Sequence, residues 1–240
     1  MKKLIIALAM IFGLSLNNNA TEERKDGETL TLRQQKLVAI SSLTAKGDLG
    51  QLKTAIEGAL VSGLTVNEIK EAIVQLYAYC GFPRSIRGLQ TFTGVLDARK
   101  ARGITDKRGQ EATPVHSNRS KYDRGKAILE KLTGAPETGP KTGYAAFAPE
   151  IEVFLKEHLF ADIFERDVLS YADRELVTVA VLTSIGGVEP MLRSHLNICL
   201  NVGLSPGQLQ QFVGLINQSI GKKEADAAHI VLNEVLKSRK

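Results

Sequence analysis

The stretch LRSHLNICLNVGLSPGQLQQFV, Leu192 to Val213, puts a histidine on an otherwise apolar helical stripe. Steps of three and four residues bring Leu192, His195, Leu196, Cys199 and Gly203 to one face. Imidazole changes charge near neutral pH, so His195 can give or take a proton as a general acid or base. Cys199 follows one turn later. A thiol–imidazole nucleophile pair is therefore geometrically possible, although plain core packing produces the same spacing. A guanidinium beside such a site would grip a substrate carboxylate through its two-pronged fork, and Arg193 and Arg174 are the candidates. Arg193 borders the stripe and can equally extend to water. The plainer alternative for His195 is a satisfied core histidine.

The elements that must position these groups occur twice. LKTAIEGALVSGLTVNEIKEAI, Leu52 to Ile73, is a near-copy of the same stretch, and aligning Gly63 with Gly203 sets an offset of 140 residues. Each copy has an apolar helix, a glycine at its left-handed stop, and a capping box that restarts the chain. The boxes are Thr65-x-x-Glu68 and Ser205-x-x-Gln208, the latter with Pro206 at the first helical position. Four matched signals at one offset indicate a duplication. The rest of the pattern is helical, including LTLRQQKLVAISSLTA, YADRELVTVAVLTSI, DRGKAILEKLTG and APEIEVFLKEHLF. IKEAIVQLYAYCGFP breaks at Gly81 and Pro83 before a further helix to about Arg102. No alternating run calls for a strand. The expected fold is all-α, with each repeat a small bundle. The expected boundaries are residues 21–110 for the first repeat and 111–240 for a linker and the second.

The chain has 240 residues, 43% of them hydrophobic and 5% aromatic. Lys2 and Lys3, the apolar run Leu4 to Leu16 and Ala20 read as a secretory signal peptide over residues 1–20, which implies a periplasmic or secreted protein with no membrane attachment after cleavage. The run is too short for a stable spanning helix, which needs about 20 residues. Removing the two lysines lowers the net charge from +5 to +3. That is too mild to point to nucleic acid. RKDGE and DKRGQE mix signs and read as solvated linkers. Cys80 and Cys199 hold non-equivalent repeat positions and read as two buried small hydrophobes rather than a disulfide. The histidines, His116, His158, His195 and His229, show no metal-ligand spacing, so no metal is expected. Tyr77, Tyr79, Cys80, Arg84 and Arg87 gather at the Gly81 break. The break reads as structural, and the two arginines as surface charges or an anion contact.

Successive blocks of the second half, YDRGKAILEKLTG, FLKEHLFADIFERDVL, DRELVTVAVL and LRSHLNICLNVGLS, resemble the carboxymuconolactone decarboxylase family. The first half supplies that family's closing block, TVNEIKEAIVQLYAYCGFP. The resemblance covers most of the chain after the signal segment. It implies an all-helical fold of the alkylhydroperoxidase-D-like type in two tandem repeats. It also implies a homo-oligomer, because the family's single domains form trimers or hexamers. Peroxidase relatives in this superfamily carry Cys-x-x-Cys-x-x-x-His and an upstream proton-relaying glutamate. His195 matches that histidine, Glu175 lies near that glutamate, and Asn201 matches a family asparagine. The two cysteine positions hold Val188 and Met191, and in the first repeat Asp48 and Gln51, so no dithiol cycle is available.

This chain also departs from the decarboxylase pattern. Phe160 and Phe164 stand near tryptophan positions, and Asp167-Val168 replaces Pro-Gly. Ala55 takes the histidine position of the first repeat. Glu68 and Glu71 become Gln208 and Gln211 in the second. Glu68 is explained by its capping box, whereas Glu71 is left as a candidate substrate contact. One site is active, or a site forms where unlike repeats meet, or both have decayed. Loss of CO₂ from an unsaturated lactone acid delocalises charge into the ring system, and a placed acid then protonates carbon without any cofactor. The resemblance therefore implies decarboxylation or isomerisation of a small carboxylated or lactone-like molecule, with His195, Glu175 and Cys199 as catalytic candidates. Arg193, Arg174, Asn201 and Glu71 are the candidate substrate contacts. The rival readings are a non-catalytic binding or oligomeric scaffold, and a weak thiol-dependent peroxidase.

Overall fold

Four capping boxes set where the main helices begin: Thr31 with Gln34, Thr65 with Glu68, Ser170 with Asp173 and Ser205 with Gln208. The computed structural model describes residues 29–239, so the expected signal segment and RKDGE lie outside the described residues. The first half forms α1 (Leu32–Lys46), α2 (Leu49–Val61), α3 (Val66–Gln75) and α4 (Tyr77–Ala101). There follow α5 (Lys121–Thr133), α6 (Gly143–Phe147), α7 (Pro149–Phe154) and a π-helix over Leu155–Phe164. The second half closes with α8 (Tyr171–Ile185), α9 (Glu189–Asn201), α10 (Pro206–Ile220) and α11 (Lys222–Ser238). Among the described residues there is no strand, and no helix is long and apolar enough to cross a membrane.

The duplication is legible in the elements themselves. Helices α1 and α8 have 15 residues each, and α2 and α9 have 13 each. The glycine stops Gly63 and Gly203 have φ of +97° and +98°, the left-handed region that glycine enters at little cost. Gly81 breaks α4 internally with φ 78° and ψ 161°, and its equivalent Gly221 caps α11 with φ 114° and ψ 172°.

The two helical repeats share a seam. Helices α1 and α8 pack on each other, and each serves both cores. One core joins Leu30 and Val38 to Leu176, Val179, Leu196, Phe212 and Val231. The other joins Leu37, Ile40, Ile56, Ile73 and Leu76 to Leu169, Val177 and Val181 of the second half. The reason is that α8 is buried on all sides, from Asp173 through Ser184. A helix apolar all round must be covered all round, which one four-helix repeat cannot do alone.

The linker is also docked rather than free. Carbonyls of Lys107 and Arg108 accept the first N–H groups of α3, and Asn67 donates its amide to the carbonyls of Gly109 and Gln110 at 3.2 and 2.9 Å. Arg99 holds the segment with a forked pair to Asp106 at 2.7–3.0 Å. DKRGQE therefore supplies backbone acceptors to a helix start that would otherwise leave N–H groups unpaired.

Helix α5 lies so close to the π-helix that a Cβ on Gly125 would stand 1.8 Å from the Lys156 carbonyl oxygen. Backbone cannot yield there. Gly125→Ala is expected to cost about 3 kcal/mol of stability, read as a lowered urea midpoint with an unchanged slope.

Candidate functional site

Helix α8 opens on the Ser170–Asp173 box, which Arg33 reinforces through an ion pair to Asp173 at 2.7 Å. The next two residues, Arg174 and Glu175, are fully buried. A Gly186-Gly187 turn reverses the chain, and α9 brings His195 back beside α8. His195 Nδ1 lies 2.7 Å from Glu175 Oε2. The glutamate side chain is 0% exposed and the histidine 15%. A carboxylate only accepts, so this bond places a proton on Nδ1 and leaves Nε2 as the ring nitrogen not engaged with Glu175. The other oxygen of Glu175, Oε1, is buried and has no hydrogen-bond partner among the described residues.

The first half supplies the neighbouring wall. Tyr79, just before the Gly81 break, sets its ring edge-on to His195 with centroids 6.2 Å apart. Its hydroxyl lies 3.1 Å from Thr178 Oγ1, which also lies 3.0 Å from the Gln75 amide nitrogen. Burial, and then the Glu175 charge, push the Tyr79 phenol well up, so it keeps its proton. Cys199 is buried beside the pair, and burial followed by the same negative charge raises its thiol well above the usual range. Burial pushes the Cys80 thiol up to about 11 against the pull of Arg84. Both cysteines are free. Because the thiolate is the reactive form, Cys199 is expected to resist iodoacetamide in the folded protein and to react fully in urea. Mass spectrometry of the alkylated chain checks this.

The structure disposes of the other sequence candidates differently. Arg174 Nη1 donates to Gln75 Oε1 at 3.0 Å, and Nη2 donates to the Arg166 carbonyl at 2.6 Å and to Glu71 at 3.3 Å. Glu71 in turn holds Arg166 through three contacts of 2.5–3.1 Å. Glu71 and Arg174 thus meet each other in a buried ion cluster, on the far side of Gln75 and Thr178 from Tyr79. Arg193 makes an exposed ion pair with Glu234. Asn201 donates to the Leu132 and Thr133 carbonyls at 3.1 and 2.9 Å, closing the end of α5, and accepts from Arg239 at 2.6 Å. The seven sequence candidates thus divide: Glu175, His195 and Cys199 come together, Glu71 and Arg174 pair with each other, and Arg193 and Asn201 stand apart. Arg87 spends its guanidinium on Gln90 at the surface.

Thr178, Gln75 and Arg166 had no individual signal in the sequence reading, and Tyr79 was seen only as part of a helix break. Thr178 and Gln75 lie on faces that become meaningful once α3 and α8 are known to touch. Among the described residues no group of three or more His, Cys, Asp or Glu side chains is placed to hold a metal ion.

Known proteins share these two halves. The profile of the carboxymuconolactone decarboxylase family matches residues 14–93 and 149–230. Tyr79 and Glu71 fall in the first region, Glu175 and His195 in the second. A 4-carboxymuconolactone decarboxylase from Acinetobacter baylyi (strain ATCC 33305 / BD413 / ADP1) is 30% identical over 91 residues, which is 38% of this chain and 67% of that protein.

Proposed function

The chain belongs to the carboxymuconolactone decarboxylase family, and from that premise we propose that it performs acid/base chemistry, without a cofactor, on a small lactone-like or carboxylated molecule. His195 is the proton carrier and Glu175 its partner. The observation that carries this is the 2.7 Å bond between a half-buried imidazole and a fully buried carboxylate. A carboxylate so placed fixes the tautomer and steadies the imidazolium once it forms.

In a decarboxylation, the bond to the leaving carboxylate breaks and its electron pair enters the conjugated carbonyl. His195 in its imidazolium form then gives the Nε2 proton to carbon to make the new C–H bond, returns to the Nδ1–H tautomer, and takes up a proton from solvent again. In an isomerisation, the Nε2 lone pair takes a proton from one carbon, the resulting imidazolium exchanges it with solvent, and Nε2 delivers a proton to another carbon. Both need an outward-facing Nε2 and a dry, negatively charged support behind Nδ1. Arg193 and Asn201 serve the fold in this scheme, since their polar groups are engaged with Glu234 and with α5. A thiol peroxidase is disfavoured by the raised thiols of Cys80 and Cys199. Export and assembly into a homo-oligomer belong to the same proposal.

The second reading, a binding scaffold, draws on the first repeat, where Ala55 stands at the His195 position. The test is turnover of a panel of unsaturated lactones, with and without a carboxylate, followed by loss of ultraviolet absorbance. Consumption of a panel member by the wild-type chain supports the enzyme. A panel left untouched favours the scaffold.

A further inference from the structure

We propose that Tyr79, delivered by the first half of the chain, is a positioning residue that holds His195 in register with Glu175. It acts through the histidine, so its catalytic consequence rests on the function proposed above.

An imidazole on a helix can turn about its side-chain bonds, and water competes for its Nδ1 proton. The Tyr79 ring stands edge-on to His195 with centroids 6.2 Å apart, and in this proposal it limits that turn and shields the approach to Glu175. The ring is itself held. Arg174 Nη1 donates to Gln75 Oε1, which orients that amide so that its nitrogen donates to the Arg174 carbonyl at 2.9 Å and to Thr178 Oγ1 at 3.0 Å. Thr178 sends its own proton back to the Arg174 carbonyl at 2.9 Å. The Tyr79 hydroxyl is then the donor to Thr178.

The chain contains its own comparison. In the quasi-equivalent place, α1 puts Lys36 where α8 has Glu175, counted from their capping residues Thr31 and Ser170, and α2 puts Ala55 where α9 has His195. Helix α10 puts Ser219 where Tyr79 stands and Leu215 where Gln75 stands. The apolar positions of the same helices keep their character: Ile69 with Leu209, Ile73 with Val213, Leu76 with Ile216. A tyrosine kept only for packing would be expected to survive as another large apolar group. Instead it is absent together with the glutamate and the histidine. Ala55 and Ser219 line an open groove of about 430 Å³ there, with Leu43, Gln51, Thr54 and Gln218. At the His195 site the Tyr79 ring stands at the corresponding position, edge-on to the imidazole.

Histidine ¹⁵N spectra test this directly, because they report which ring nitrogen carries the proton. The wild-type chain is expected to show neutral His195 as a single Nδ1–H tautomer. Tyr79→Ser, which installs the quasi-equivalent residue, is expected to move the tautomer ratio about tenfold towards Nε2–H, the worth of roughly one hydrogen bond. Tyr79→Phe keeps the ring and is expected to keep the single tautomer. Should melting show the serine variant unfolded, Tyr79→Leu retains the buried volume without the flat wall and is expected to give the same mixture. A folded serine or leucine variant that keeps a pure Nδ1–H tautomer overturns the proposal. So does a phenylalanine variant that loses it as fully as serine does, because the ring would then not be what holds the histidine. Turnover is scored separately. A wild-type chain that consumes no lactone removes the proposed function and leaves the tautomer result to stand or fall by itself.

Discussion

Replacing His195 by alanine is expected to lower turnover of any accepted lactone by about 10³-fold, the usual worth of a positioned general acid or base. The loss should fall on kcat rather than KM, because the imidazole acts in the transition state and the substrate is held elsewhere. Stability should drop by about 2 kcal/mol, since the variant leaves buried Glu175 without its one partner. Glu175→Gln keeps the shape but removes the charge. It is expected to lose less activity, about 10²-fold, because an imidazole without its carboxylate still transfers protons. The double variant should be no worse than His195→Ala alone, as groups acting as one unit are not additive. Stopped-assay kinetics and thermal melts on the three variants check the set. Equal activity in wild type and His195→Ala removes the histidine from the chemistry.

The second large effect is on stability. Glu71 is 3% exposed on its side chain and Arg174 is 0% exposed. Glu71→Ala strands that guanidinium without a carboxylate, and removing one partner of a buried pair costs about 3–5 kcal/mol. The Arg166 arm adds less, because its side chain is 39% exposed and water screens it. Burial alone would raise the Glu71 carboxyl, but the Arg166 hydrogen bonds and the charges of Arg166 and Arg174 outweigh it and hold it below the usual range. A carboxyl depressed in the folded state gives stability that is present above its unfolded value and is lost as pH falls through the folded one. Wild type should therefore lose stability as pH drops below about 4.3, the ordinary glutamate value. Glu71→Ala should start lower and fall less steeply over that window. Urea unfolding at several pH values reads both differences.

The sequence declared the helices because their signals are local. Thr65 with Glu68, Ser205 with Gln208 and the stop at Gly203 need no knowledge of tertiary structure. The sharing of cores by α1 and α8 was less visible. LVTVAVL reads as a stripe when sampled every three or four residues, yet nearly every position in it is apolar, and that continuity is the mark of a helix covered on all sides. The linker's docking on α3 was hidden because the groups that accept there are backbone carbonyls, for which side-chain types carry no signal, and the Arg99–Asp106 pair only adds to them. APEIEVFLKEHLF was expected as one amphipathic helix and instead widens into the π-helix from Leu155 to Phe164.

The site was legible in part. His195 stood out as a titratable group on an apolar face, and Glu175 came from the family resemblance rather than from spacing, since 20 residues separate the pair. Arg174 and Glu71 were expected as substrate contacts, and their types gave no hint that they would instead satisfy each other across the repeat boundary. Tyr79 was seen, and its partner was not, because the contact joins residues 99 positions apart through Thr178.

The central claim is that the His195–Glu175 pair moves a proton to or from substrate carbon. Conversion of an accepted lactone in deuterium oxide tests it most directly. With the wild-type chain, product is expected to carry one solvent deuterium at the carbon that is protonated, and His195→Ala should yield no labelled product above the uncatalysed background. Product formed without deuterium, or labelled equally by both chains, contradicts the claim.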